Sequence, residues 1–373
     1  MLDNRKFIVK KEIRKKKYQN DYNSSFNFLG FDKLIYHPEK LTGFKVDQNI
    51  FPLTATISLG NYCNHGCLWC STAYWRQDDS NSIDFIKLSR WLKKAEKKGL
   101  KGVGYVGNGE PLAYKDFSKL IKYVGNLNLD QGVFTNGYLI DRYHNQLLDN
   151  FTYVRISLDA GSDKIHSELH DVPIHHFKKI INNLELLLKK RKNNSPTIGV
   201  QYATHQRNLH DLKNCVKICK DIGVDYLSIK PVFDRGSVNE KIERNTLTKL
   251  EIKDEVISLK RYENDCFKIF FREHQFESES VGYNVLPYDR CYAGYFGINI
   301  YENGDITGCG PHHINVGNLD TKFSDLEKNI IKLSKSLDLK NCPAGCRFHP
   351  MNRLLHKIKN KGLFTKNEHI NLI

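Results

Sequence analysis

The sequence has no run of about 18 or more apolar residues. Its longest apolar stretch, Ile180 to Leu188, is broken by Asn and Glu, so no membrane-spanning helix is expected. The middle of a secretory signal is also missing, because the basic first 17 residues lead into Tyr-Gln-Asn-Asp-Tyr rather than into an apolar segment. These two absences set the expectation of a cytoplasmic protein without a membrane partner. Internal repeats are lacking, as is low complexity beyond the basic amino terminus, and no nucleic-acid-binding module is visible. Acidic residues are outnumbered, 42 against 57 basic, for a net charge of +15. Such a surplus attracts phosphates, nucleic acid or an acidic partner. Much of it, however, sits in scattered lysines such as those of 91–98 and 189–192, where solvated helix faces account for it.

What remains is an ordinary globular composition, 40% hydrophobic and 27% charged over 373 residues, enough for one large domain and a small one. From Leu53 to Val232, short β-rich runs alternate with longer helical patterns, which predicts an α/β fold with a parallel sheet or barrel. The strand candidates are 54–59, 102–107, 132–135, 153–158, 197–202 and 226–230. Between them, 83–98, 117–124, 177–190 and 209–222 carry apolar residues at helical spacing. After Pro231 the pattern changes to a charged helical stretch, 239–262, and then to short runs with an Asn303-Gly304-Asp305 hairpin signal. The expected division is an extension over 1–50, a core over 51–235, a helical connector over 236–285, a small hairpin and helix domain over 286–350, and a tail over 351–373.

Ten cysteines in a chain read as cytoplasmic make metal ligation, not disulfide bonding, the working question. They are unevenly spaced. Cys63, Cys67 and Cys70 form a Cys-x3-Cys-x2-Cys set directly after the first strand candidate. Three thiolates on one loop can hold three irons of a [4Fe–4S] cluster and leave the fourth open to a ligand. A zinc knuckle is the rival; its fourth ligand would be His65, which the loop can hardly present to the same ion. Cys215 and Cys219, four apart on a helix pattern, and the isolated Cys266 are read as structural.

With Trp69 at the aromatic position before the third cysteine, this loop resembles the signature of the radical S-adenosylmethionine (radical SAM) superfamily, and the resemblance extends over roughly 50–235. It implies a partial (β/α)6 TIM-like barrel with the [4Fe–4S] cluster and S-adenosylmethionine at its carboxyl face. Further matches follow in order. Gly107, Gly109 and Glu110 stand where the family has its Gly-Gly-Glu motif for the cofactor's amino group, with Asn108 at the usual second glycine. Thr135-Asn-Gly137 ends the third strand, and Ser157 and Asp159 after the fourth imply contacts near the ribose and methionine. Family members often continue with His-Asp-x-x-Arg, whereas this chain has His166-Ser-Glu-Leu-His170, so His170 or Lys164 is left to meet the methionine carboxylate. Gln201, Asn208 and Lys230 fall where later strands turn toward the cavity.

A second set, Cys291, Cys309, Cys342 and Cys346, looks like the carboxyl-terminal SPASM or shorter twitch extension. Four cysteines suit one auxiliary [4Fe–4S] cluster, with a four-cysteine zinc site as the alternative. His312 and His313 lie beside it. The resemblance implies an oxidoreductase that takes an electron from flavodoxin or ferredoxin, cleaves S-adenosylmethionine to a 5′-deoxyadenosyl radical and abstracts hydrogen from a substrate. Peptide maturases of this layout often carry an amino-terminal winged helix of about 80 or more residues. About 50 residues precede the first strand here, so the expected substrate is a small molecule such as a sugar or aminocyclitol derivative. Peptide modification and a non-catalytic iron–sulfur or zinc scaffold are the alternatives.

Overall fold

The computed structural model describes residues 31–48, 51–73, 81–232, 245–276, 286, 288–342 and 346–360. The expected extension and tail therefore lie largely outside the described residues. Seven strands run parallel: β1 Thr54–Ile57, β2 Gly102–Tyr105, β3 Asp130–Thr135, β4 Tyr153–Ser157, β5 Thr197–Thr204, β6 Tyr226–Pro231 and β7 Lys268–Phe271. Three more follow, β8 Gly297–Ile300, β9 Asp305–Cys309 and β10 Ile314–Asn318. All ten form one sheet in the order β10-β9-β8-β1-β2-β3-β4-β5-β6-β7.

The six strand candidates all form. Helices Phe85–Lys98, Phe117–Gly125, His175–Lys190 and Leu212–Ile222 lie within two or three residues of the helical patterns. Alternation along the strands explains the layering, since successive side chains point to opposite faces. Val103, Val133, Val154, Ile156, Val200 and Ile229 are fully or almost fully buried on the face that the helices cover. Phe134, Arg155, Gly199 and Tyr226, in register across β3 to β6, share the other, concave face. Each helix repeats this logic with its own period. Leu88, Trp91, Leu92 and Ala95 form the buried stripe of Phe85–Lys98, which Asp84 caps by accepting from the Lys87 amide at 2.8 Å.

Two features differ from the expected division. The connector is not purely helical: after helix Lys249–Leu259 it contributes β7, which extends the parallel sheet beside β6. The carboxyl-terminal hairpin does not stand apart either. β8 pairs parallel with β1, and β9 and β10 continue from it antiparallel. Two short strands alone are marginal in water, whereas docking on the exposed edge of β1 satisfies that edge and gives the hairpin a core. No helix among the described residues is long and apolar enough to cross a membrane.

Candidate active site at the carboxyl face of the barrel

The three-cysteine loop leaves the end of β1 and rests on two supports. One is the carboxyl end of helix Asp163–His170, where the Gly66 amide donates to the His170 carbonyl at 2.8 Å and the Leu68 amide to the Leu169 carbonyl at 2.9 Å. The loop thus takes up helix-end carbonyls that have no partner within the helix. The other is the turn after β2, where the Glu110 amide donates to the Tyr62 carbonyl at 2.8 Å. A Cβ on Gly109 would lie 2.1 Å from that same carbonyl oxygen, so only glycine allows the two backbones to lie this close.

Cys63, Cys67 and Cys70 are half-buried thiols on this loop. Asn136 Nδ2 lies 4.0 Å from Cys63 Sγ, Thr72 Oγ1 3.3 Å from Cys70 Sγ, and His170 Nδ1 3.0 Å from Cys67 Sγ. The donor set suits an iron–sulfur cluster: three thiols in one loop and polar groups at the sulfurs. His65 points elsewhere. Its ring packs 5.5–5.8 Å from those of His166, His170 and His176, in a buried histidine cluster behind the loop. Burial lowers the His166 pKa to about 2, helped by the neighbouring imidazoles of His170, His65 and His176.

Glu110 is buried and knits two turns together. Its Oε1 accepts from the Thr135 hydroxyl at 2.6 Å and the Leu112 amide at 3.0 Å, and its Oε2 from the Asn136 amide at 2.9 Å. Burial pushes its pKa up, and the donors from Asn136, Thr135 and Leu112 oppose that shift. Gly107 sits against Ser58, with only 2.8 Å between a would-be Cβ and Ser58 Oγ. Ser157 is half-buried at the end of β4, level with Gln201 of β5. Asp159 adopts a left-handed backbone, φ 55°. Its Oδ1 accepts from the Ala203 amide at 2.7 Å and its Oδ2 from Trp69 Nε1 at 3.3 Å, while Asn208 Nδ2 donates to its carbonyl at 2.8 Å. Asp159 therefore ties the cysteine loop to the end of β5.

His170 is 2% exposed and both ring nitrogens have protein partners, Nδ1 at Cys67 and Nε2 at the Leu158 carbonyl, 3.0 Å away. A carbonyl only accepts, so Nε2 carries the proton and Nδ1 faces the thiol. Both nitrogens thus take part in supporting the loop. The reason is that the helix ends at His170 against the loop and turns its last side chain inward. Cys215 and Cys219 are buried in the core, 3.9 Å apart, and Cys266 is exposed.

The second set converges as well. Cys291, Cys309, Cys342 and Cys346 line one small cavity with Tyr288, His312 and other residues. Asn352 Nδ2 donates to Cys291 Sγ at 3.4 Å, and His312 Nε2 lies 3.4 Å from Cys342 Sγ. Burial, with the thiols of Cys291, Cys346 and Cys309 close by, pushes Cys342 up to about 12. His313 is turned away, 2.9 Å from the Tyr301 hydroxyl. Four thiols around one cavity fit a site closed by protein ligands, and burial raises the pKa of Cys291 as well as Cys342, so loading those two releases protons.

One residue that sequence reasoning passed over joins the two regions. Glu302, in the turn after β8, accepts from Ser58 Oγ at 2.8 Å and from Asn108 Nδ2 at 2.9 and 3.0 Å. Its only signal was a place beside a hairpin turn.

Comparison with known proteins agrees with this geometry. Residues 57–219 match the family model described as Radical SAM superfamily. The sporulation killing factor maturation protein SkfB of Bacillus subtilis is 23% identical over 301 residues, covering 79% of this chain and 69% of its own length. A probable GTP 3′,8-cyclase of Methanococcus aeolicus is 22% identical over 209 residues, 54% of this chain and 65% of the cyclase, so the chain spans just under two thirds of that relative. Among solved structures, Streptococcus suis SuiB bound to precursor peptide SuiA superposes with a TM-score of 0.64 at 18% identity, over 91% of this chain and 84% of SuiB. Residues 57–219, with the cysteine loop at the carboxyl face of a partial barrel, thus form a domain that matches the radical SAM superfamily, a family that binds a [4Fe–4S] cluster with S-adenosylmethionine.

Proposed function

We propose that the chain modifies a peptide by radical chemistry. The observation that supports this best is the extent of the matches. Likeness to the peptide-bound SuiB covers 91% of the chain, well beyond the residues of the family match, and SkfB matches over 79%. The GTP cyclase match covers only 54%. The sequence alone pointed to a small molecule; the comparisons favour the peptide.

In this reading Cys63, Cys67 and Cys70 hold three irons of a [4Fe–4S] cluster, leaving one for S-adenosylmethionine. The bound pair supplies a 5′-deoxyadenosyl radical, on one-electron reduction, for hydrogen abstraction. The protein's own residues position the reactants. Glu110 Oε2 has a single donor, so it keeps an acceptor site for the methionine ammonium, while Oε1 is fully used in holding Thr135. Ser157 meets the ribose from the rim. Trp69 and Asp159 fix the loop above β5, and His170 fixes Cys67. Cys291, Cys309, Cys342 and Cys346 would hold a second [4Fe–4S] cluster, which would supply an acceptor for the electron that the substrate radical gives up after hydrogen abstraction. The net charge of +15 suits an acidic electron donor such as flavodoxin or ferredoxin, and ten cysteines with two ligand-like sets suit a reducing cytoplasm.

The test is anaerobic turnover with S-adenosylmethionine and dithionite. The wild type should release 5′-deoxyadenosine and methionine, and Cys67→Ala should release neither. Short peptides encoded beside this chain should then lose hydrogen mass; substrate-free cleavage with every such peptide unchanged would reject the peptide reading.

A further inference from the structure

The concave face of the barrel carries half-buried positive charge that no carboxylate among the described residues pairs. Arg155, in the middle of β4, lies with its guanidinium carbon 4.0 Å from the centroid of the Phe134 ring, and its Nε is buried without a hydrogen-bond partner. Arg272, just after β7, reaches into the same space and donates from Nε to Ser228 Oγ at 3.1 Å. The nearest titratable neighbours of Arg272 are Arg155, Arg347, Tyr153 and Tyr226, and burial with the two arginines lowers it to about 10. No carboxylate among the described residues pairs with either Arg155 or Arg272. Glycine makes the room: a Cβ on Gly199 would lie 2.1 Å from the Tyr226 ring, which therefore lies flat against β5 and leaves the centre open. Two like charges in a sheltered space are costly unless an anion joins them, and guanidinium forks match planar or tetrahedral oxyanions.

We propose that Arg155 and Arg272 form an oxyanion site inside the barrel, which holds a carboxylate or phosphate group of the substrate. Arg155 precedes Ser157, at the end of β4, by two residues, so its backbone lies about 7 Å below the rim where Trp69 and Asp159 stand. That depth assigns the pair to the substrate rather than to the methionine end of the cofactor. The assignment to substrate rests on the radical SAM reading above, while the anion site itself does not.

The experiment uses the full chain with its clusters reconstituted. Thermal midpoints are measured against glutarate or inorganic phosphate, with ionic strength held constant by chloride. One anion should raise the wild-type midpoint saturably, and which one does so tells carboxylate from phosphate. Arg272→Met and Arg155→Met should each raise the half-saturating concentration by about tenfold or more. Without anion, both variants should melt no lower than the wild type, because an uncompensated buried charge has gone. The affinity for S-adenosylmethionine, measured separately, should change by less than about threefold in either variant. No anion response in the wild type, or an equal response in the variants, overturns the site. A large loss of S-adenosylmethionine affinity would move the pair to the cofactor and overturn the substrate assignment. Absence of 5′-deoxyadenosine from the wild type, with the anion response intact, would instead fail the radical reading.

Discussion

The two cysteine sites gather thiols in opposite ways. At the end of β1, three thiols sit on one short loop whose backbone is borrowed into place by a helix end and a glycine turn, and the site stays partly open. Near the carboxyl terminus, four thiols come from separate points of the chain, 291, 309, 342 and 346, and close around a cavity that Asn352 and His312 also line. Around a four-iron cluster, three thiolates would leave one position for a reactant and four would leave none. Ligand count and access, more than metal identity, separate a site that binds from a site that relays.

The largest expected effect tests that division directly. Loaded wild-type protein should contain about eight irons, and a Cys63/Cys67/Cys70 triple-Ala variant about four. The triple variant should make no 5′-deoxyadenosine, whereas Cys342→Ser should lose the second set of irons and still cleave S-adenosylmethionine. If Cys342→Ser is equally dead in cleavage, the two sites are not separable in the way described. Next comes the glycine turn. Gly109→Ala forces backbone apart at the loop's support and should cost about 3 kcal/mol in chemical denaturation, against little for Gly102→Ala, where a Cβ would meet nothing closer than 3.7 Å. Equal costs would mean that the close approach under the loop is not needed.

The smallest effect concerns the histidine cluster behind the first site, which the second site lacks. His166 has a folded-state pKa far below its unfolded value, so below about pH 6.5 the unfolded chain binds a proton that the folded chain refuses. Stability therefore falls as pH falls. Between pH 7 and pH 5 this one residue should cost about 2 kcal/mol, and His166→Leu should flatten the pH dependence by that amount in urea melts. An unchanged slope would mean that the ring is hydrated in the native state.

The sequence revealed most where chemistry and spacing are local. Cys63, Cys67, Cys70 and Gly109 lie within fifty residues on consecutive turns, and six strands and four helices declared themselves by periodicity. What stayed hidden depends on distant pairing. Glu302 acts on Ser58 from 244 residues away, β7 is only four residues long, and β8 needs the edge of β1 to be a strand at all. The inward turn of His170 toward Cys67 was hidden because its side-chain direction is set by how a helix end meets a loop, and no sequence spacing encodes that.

The parallel pairing of Thr54 with Gly297 also sets a timetable. At about 5–20 residues per second, the ribosome needs about 10–50 s to make the partner strand after β1 has emerged. Through that interval the launching strand of the cysteine loop has one flank bare, and Ser58 waits for Glu302. A cluster inserted early would meet a loop whose base is unfinished. The base of the loop is therefore completed only when the Glu302 segment, 244 residues beyond Ser58, has been made and has docked.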